Sequence, residues 1–274
     1  MPINNSINTN VGAFVALQNL NSVNARLDVV QNRVSTGLKV NSAVEDASSF
    51  AIAQGIRGNL KAYEAVSQGL ANGRGVATVT LAGATAISDL LGDIQKKITE
   101  GQNAGNSTEQ QSILNSDFSN LVSQINTYSV NATYNGRNLL SFSSTSLNVI
   151  GNVDGTTLTI RSNSSFAVTS TALGAQQISS TVAATKALSV LFTATASINA
   201  VLGNLGADTR TLNFQETFIS KLSDAVSEGL GAIVDADLAK ESSRLQALQV
   251  QQQLSVQTLN IANQKPSGLL SLFR

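Results

Sequence analysis

Two short stretches hold the side chains most able to do chemistry. STGLKVNSAVEDASSFAIA, residues 35–53, sets Gly37, Lys39, Glu45 and Asp46 among small neutral neighbours, as a loop presenting a base and an acid would. IVDADLAKE, residues 233–241, offers Asp235 and Asp237, a candidate carboxylate pair. Two residues apart on a helix, however, two carboxylates do not share a face, and charge at a helix N-terminus is the simpler role. The chain has no His and no Cys, which removes the usual imidazole bases, thiolate nucleophiles and zinc ligands. No enzyme is expected, and no catalytic, cofactor-binding or metal-ligating residue.

Composition narrows the partners. Seventeen basic and 17 acidic residues give a net charge of zero, and only 12% of residues are charged. A nucleic acid demands clustered Lys and Arg, and an anionic membrane a polybasic patch, so neither partner is expected. The opening MPINNSINTN lacks the basic and apolar regions of a secretory leader, and no run approaches the unbroken apolar length of a membrane span.

The elements that must position these residues read as helices. Both prolines, Pro2 and Pro266, lie at the edges of the sequence, which leaves everything between free to be helical. Ala13, Ala16, Leu20, Val23, Leu27, Val30 and Val34 follow spacings of three and four, the seam of a coiled coil. The rhythm stops at Gly37, which suits a left-handed helix end, and Ser42 with Glu45 reads as a capping box for the next helix. That helix keeps its apolar period from Ile52 to Ile98 despite seven glycines, which only close packing by neighbours could offset. Ser107 and Gln110 form a second capping box, with Leu114, Phe118, Leu121, Ile125 and Tyr128 as the stripe behind it.

From 141 to 181 Ser and Thr dominate and alternation replaces the heptads, predicting one or two β-hairpins with Asp154 and Gly155 in the turn. Heptads return from Leu188 to Val226, and a last helix runs from about Asp237 to Gln264, ended by Pro266 and Gly268. This last helix is apolar on two faces. Leu245, Leu248, Val256 and Leu259 lie on one, Ala247, Val250, Leu254 and Ile261 on the other, so it needs more than one partner. The fold class is mainly α, with long coiled-coil-like helices in a helical hairpin bundle and a small β-hairpin region mid-chain.

Four stretches in order point to a family. STGLKVNSAVEDASSFAIA closely resembles the N-terminal signature of bacterial flagellins, and NATYNGRNLL at 131–140 the stretch before their variable region. IVDADLAKE and the closing LNIANQKPSGLLSLFR resemble their C-terminal signature, and the ending and short middle are most similar to alphaproteobacterial members. The resemblance covers about 1–140 and 185–274. It implies a structural subunit that polymerises into the hollow helical flagellar filament of bacterial motility, extracellular and exported unfolded. It further implies, as domains, 1–36 and 231–274 as halves of an inner coiled-coil core and 37–46 as a spoke with Gly37, Asn41, Ser42 and Asp46. Residues 47–140 and 182–230 would form a helical rod, and 141–181 a variable region on the outer surface.

Subunit packing would then fall to the seam residues 13–34 named above and to Leu245, Leu248, Val250, Leu254, Val256, Leu259 and Ile261. The implied partners are further copies, other flagellins in mixed filaments, the flagellar export apparatus and chaperone, and cap and junction proteins. A hook–filament junction protein with similar terminal helices is the alternative; a signalling coiled coil would call for a membrane span. Two departures stand out. Ala232 occupies a place where the family usually carries Arg, removing an expected salt bridge. Gln95, Lys96 and Lys97 stand where many flagellins have an Arg-Glu-Leu stretch read by an animal innate receptor, so that recognition is not expected.

Overall fold

In the computed structural model, which describes residues 9–271, six helices and one two-stranded sheet follow in chain order. These are α1 (Val11–Thr36), α2 (Ala47–Gly101), α3 (Thr108–Asn131), β1 (Leu147–Ile150), β2 (Thr157–Ile160), α4 (Ser164–Gly174), α5 (Thr181–Val234) and α6 (Leu238–Ser271). The mainly helical fold with a small mid-chain hairpin is the one the apolar periods require. The chain forms two compact units, one from residues up to Gly58 and from Ala225 onward, the other from Asn59 to Asp224.

In the unit from Asn59 to Asp224, the heptad positions make one continuous core. Leu70, Ile87, Ile94 and Ile98 of α2 and Leu191, Ile198, Leu205, Leu212 and Ile219 of α5 are buried, joined by Phe118 and Ile125 of α3. By length and hydropathy alone α2 and α5 could each cross a membrane, yet these apolar side chains pack into a protein core. Ser107 caps α3 with both reciprocal bonds of the capping box, as its spacing predicts.

Three of the α2 glycines earn their place through close approach. A Cβ on Gly73 would lie 2.6 Å from Val149, one on Gly75 2.8 Å from Tyr134 and one on Gly83 2.8 Å from Ala132. Gly55, Gly58, Gly69 and Gly92 meet nothing within 4 Å, so close packing accounts for only part of the set.

The hairpin pairs Leu147 with Ile160 and Ile150 with Thr157, and its loop holds Asp154 and Gly155, the latter at φ 81°. Val149 and Ile160 face the core. Arg161, just past β2, ties the hairpin to α5: its side chain donates to both carboxylate oxygens of Asp208 at 3.3 and 2.7 Å, and its backbone N–H adds a third bond at 3.0 Å. Gln215 of α5 donates to the Gly151 carbonyl at 2.7 Å.

Two expectations need correction. The Ser/Thr-rich 141–181 is not all hairpin and loop, because 164–174 is helical. Phe166, Ala167 and Leu173 bury one face of α4, and Thr169 and Thr171 return their hydroxyls to the carbonyls of Ser165 and Ala167. Burial there overrides the β preference of the composition. Nor does α6 stop at Gln264, since its helical backbone continues through Pro266 to Ser271. Proline removes one N–H and leaves one carbonyl open, and that carbonyl finds another donor, described below.

Candidate assembly surface

The two stretches that looked most chemical meet in the unit formed by the chain's ends. α1 stops at Gly37, whose φ of 72° is the left-handed end its position predicts and whose N–H reaches the Arg33 carbonyl. The chain then bridges to the end of α5: Lys39 N–H donates to the Val234 carbonyl at 2.6 Å and Ala236 N–H to the Gly37 carbonyl at 2.8 Å. Leu38 and Asp235 pair as an isolated antiparallel bridge, beside buried Val40 and Val234.

The loop is closed by its own polar groups. Glu45 accepts from the Asn41 N–H at 2.8 Å, and the Ser42 carbonyl accepts from the Glu45 N–H at 3.2 Å. Ser42 does not cap the next helix, because α2 begins five residues later at Ala47. Asp46 takes that role, accepting from the backbone N–H groups of Ser48 and Ser49 at 3.1 Å each and from the Ser49 hydroxyl at 2.6 Å. The Ser49 bonds hold the Asp46 carboxyl below its usual value. Asp237 caps α6 through the Lys240 N–H at 3.1 Å, while Asp235 lies in the bridge. The acids and Lys39 thus serve backbone ends and turns, and nothing here sets an acid against a base over a pocket.

Beyond this junction α1 and α6 run antiparallel. Ala16, Val23, Leu27 and Val30 are buried and Ala13, Leu20 and Val34 half-buried, so the whole α1 seam lies where its spacing places it. From α6, Leu245, Leu248 and Leu259 are half-buried, whereas Val256, expected on the same face, is exposed. Polar pairs mark the register, with Gln252 donating to Asn24 at 2.8 Å and Glu241, buried in the first turn of α6, taking Arg244 at 2.8 Å and Arg33 at 4.0 Å. Among the described residues this cluster retains two unpartnered buried atoms, Arg33 Nε and Glu241 Oε2. Ala232 is exposed, and Arg33 and Arg244 supply the cationic partners of this carboxylate.

The seam leaves the other faces bare. Val250, Leu254 and Ile261 of α6 are exposed, as the two-faced pattern requires. A matching second face on α1, made by Val11, Phe14, Val15 and Leu17, is equally exposed. The seam register alone hides it, although Phe14 and Leu17, and Val11 and Val15, stand at helical spacing. Neither the polar pairs nor Asn10, whose side chain caps the start of α1, can be read from apolar periodicity.

Residues 7–145 match the family model of the bacterial flagellin N-terminal helical region and residues 188–273 that of the C-terminal helical region. The chain belongs to the bacterial flagellin family. It is 40% identical to flagellin FljM of Caulobacter vibrioides across 98% of this chain and 99% of that one. To a flagellin of Brucella melitensis it is 37% identical, again across 98% and 99%. Both relatives are alphaproteobacterial. The chain is therefore a structural filament subunit that polymerises with its own copies, and not an enzyme; no observation favours the junction protein.

Proposed function

We propose that the α1–α6 pair is the assembling core of the filament, with the seam closed inside each subunit and the outer faces covered by neighbouring copies. The observation that carries this is exposure: Phe14 is 63%, Leu254 58% and Ile261 59% accessible on helices already paired along their other faces. Apolar faces of this extent mark contact surfaces. By the family resemblance, 37–46 with Gly37, Asn41, Ser42 and Asp46 forms the spoke, 47–140 and 182–230 the rod, and part of 141–181 the outer surface. The same resemblance supports an extracellular filament, mixed filaments with other flagellins, and passage through the flagellar export apparatus with a chaperone, cap and junction proteins as partners.

Elongation of filament seeds, followed by electron microscopy, tests the reading. Wild-type subunits should extend the seeds, and a Leu254→Ser, Ile261→Ser double variant should not, while the thermal transition of residues 59–224 stays unchanged. Normal elongation by the variant would rule out these faces as the contact.

A further inference from the structure

We propose that Asn10 is a clasp through which the two ends of the chain order together, one half of its amide completing α1 and the other completing α6. Its Oδ1 caps α1 by accepting from the Ala13 N–H at 3.1 Å. Its Nδ2 donates to the carbonyl of Ala262 in α6 at 2.7 Å, across 252 residues of sequence.

That carbonyl is a particular one. In an uninterrupted α-helix the oxygen of residue 262 accepts from the N–H of residue 266, and residue 266 is proline, which has none. Yet α6 continues to Ser271. Ala262 is half-buried, as is Asn10, and an acceptor withdrawn from water without a partner is costly. Asn10 supplies the donor that Pro266 lacks.

The choice of residue follows from the two tasks. Ser and Asp cap helices about as well as Asn. Aspartate has no donor for Ala262, and serine, which has one, lacks the reach to span both helices. The amide orientation is fixed by its partners, since an N–H needs the oxygen and a carbonyl needs the NH2. As a result, the cap of α1 is held in place by α6, and α6 is satisfied at its proline only when α1 is present. The Asn24–Gln252 bond further along holds the same antiparallel register, so the clasp closes on helices already aligned.

A double-mutant cycle tests this in the full-length chain, using Asn10→Asp, Pro266→Ala and the two combined, with the critical concentration for elongation from wild-type seeds as readout. Asn10→Asp keeps the cap and loses the donor, and should raise the critical concentration about three- to tenfold, the effect of one hydrogen bond. Pro266→Ala restores the intrahelical partner of Ala262, so the same Asp replacement in that background should change the value by about twofold or less. An equal effect of Asn10→Asp in both backgrounds, or none in the wild-type background, would overturn the clasp. Asn10→Ser checks it without touching the proline. The serine keeps a cap but falls short of Ala262, so it must also raise the critical concentration, and an unchanged value would equally overturn the proposal.

Discussion

Gly37 and Gly73 are constrained for different physical reasons, and substitutions separate them. At Gly37 a Cβ meets nothing within 4 Å, so only the left-handed backbone at φ 72° resists a side chain, at about 1–2 kcal/mol. Gly37→Val should therefore lower the melting temperature of assembled filaments more than Gly37→Asn, because asparagine tolerates that region; equal effects would contradict a conformational cause. At Gly73 the obstacle is Val149, whose β-branched side chain has little freedom to move aside. Gly73→Ala should cost about 1–3 kcal/mol by overpacking, and Gly92→Ala, in open space, should gain up to about 1 kcal/mol of helix propensity. Urea midpoints of the dilute monomer should shift in opposite directions. Asp46 makes a pH prediction. Its folded carboxyl is held below the ordinary 3.8, first by the Ser49 hydroxyl, so its stabilisation is present above that value and lost as pH falls through the lower folded one. Below about pH 4 the start of α2 should loosen, and Asp46→Asn should remove this acid dependence of the Ser48 and Ser49 amides in an NMR titration.

Among the elements, α4 and the hairpin separate what a deletion can remove from what it cannot. By composition the whole of 150–170 reads as a surface loop, but Ile160 and Phe166 lie in the core at 1% and 0% exposure. Removing only the loop tip at 152–155 should leave the monomer's stability nearly intact, whereas Phe166→Ala should cost about 3–5 kcal/mol. Arg161→Ala strips two donors from the largely buried Asp208 and should cost about 1.5–3 kcal/mol; urea denaturation of the three variants ranks them, and a tip deletion as damaging as Phe166→Ala would refute the division. The long helices α1, α2, α5 and the α3 cap were legible because heptad spacing, a glycine stop and a capping box are local signals. α4 was hidden because its helicity comes from burying Phe166 and Leu173 against residues far away in sequence. α6 past Gln264 was hidden for a similar reason, since the donor that excuses Pro266 comes from the opposite end of the chain. On the candidate surface, the α1 seam and the second face of α6 could be read directly. The second face of α1 could not, because a seven-residue repeat marks one register and leaves the residues between unassigned. The capping-box spacing of Ser42 and Glu45 points away from Asp46, the true cap, because spacing alone does not show the loop that Glu45 closes.

For the molecule as a whole, low charge and two-sided helices act together. With 12% charged residues and no net charge, copies repel one another little, and the apolar faces of α1 and α6 have no strong field to keep them apart. Inside one chain those helices bury a single seam made mostly of Ala and Val on α1 and of half-buried leucines on α6. Each ordered residue costs about 1–2 kcal/mol of backbone entropy, and a lone seam recovers little of that through burial. The unit from Asn59 to Asp224 is in a different position, since its core draws on α2, α3, α4, α5 and the hairpin. The two units should therefore differ in when they order. In dilute monomer, amides of 59–224 should be protected from hydrogen exchange while those of 11–36 and 238–264 exchange freely, and polymerisation should add protection to the second set with little change in the first. Terminal helices already protected in the dilute monomer would show that the seam suffices alone, and the outer faces would then need a reason other than completing the fold.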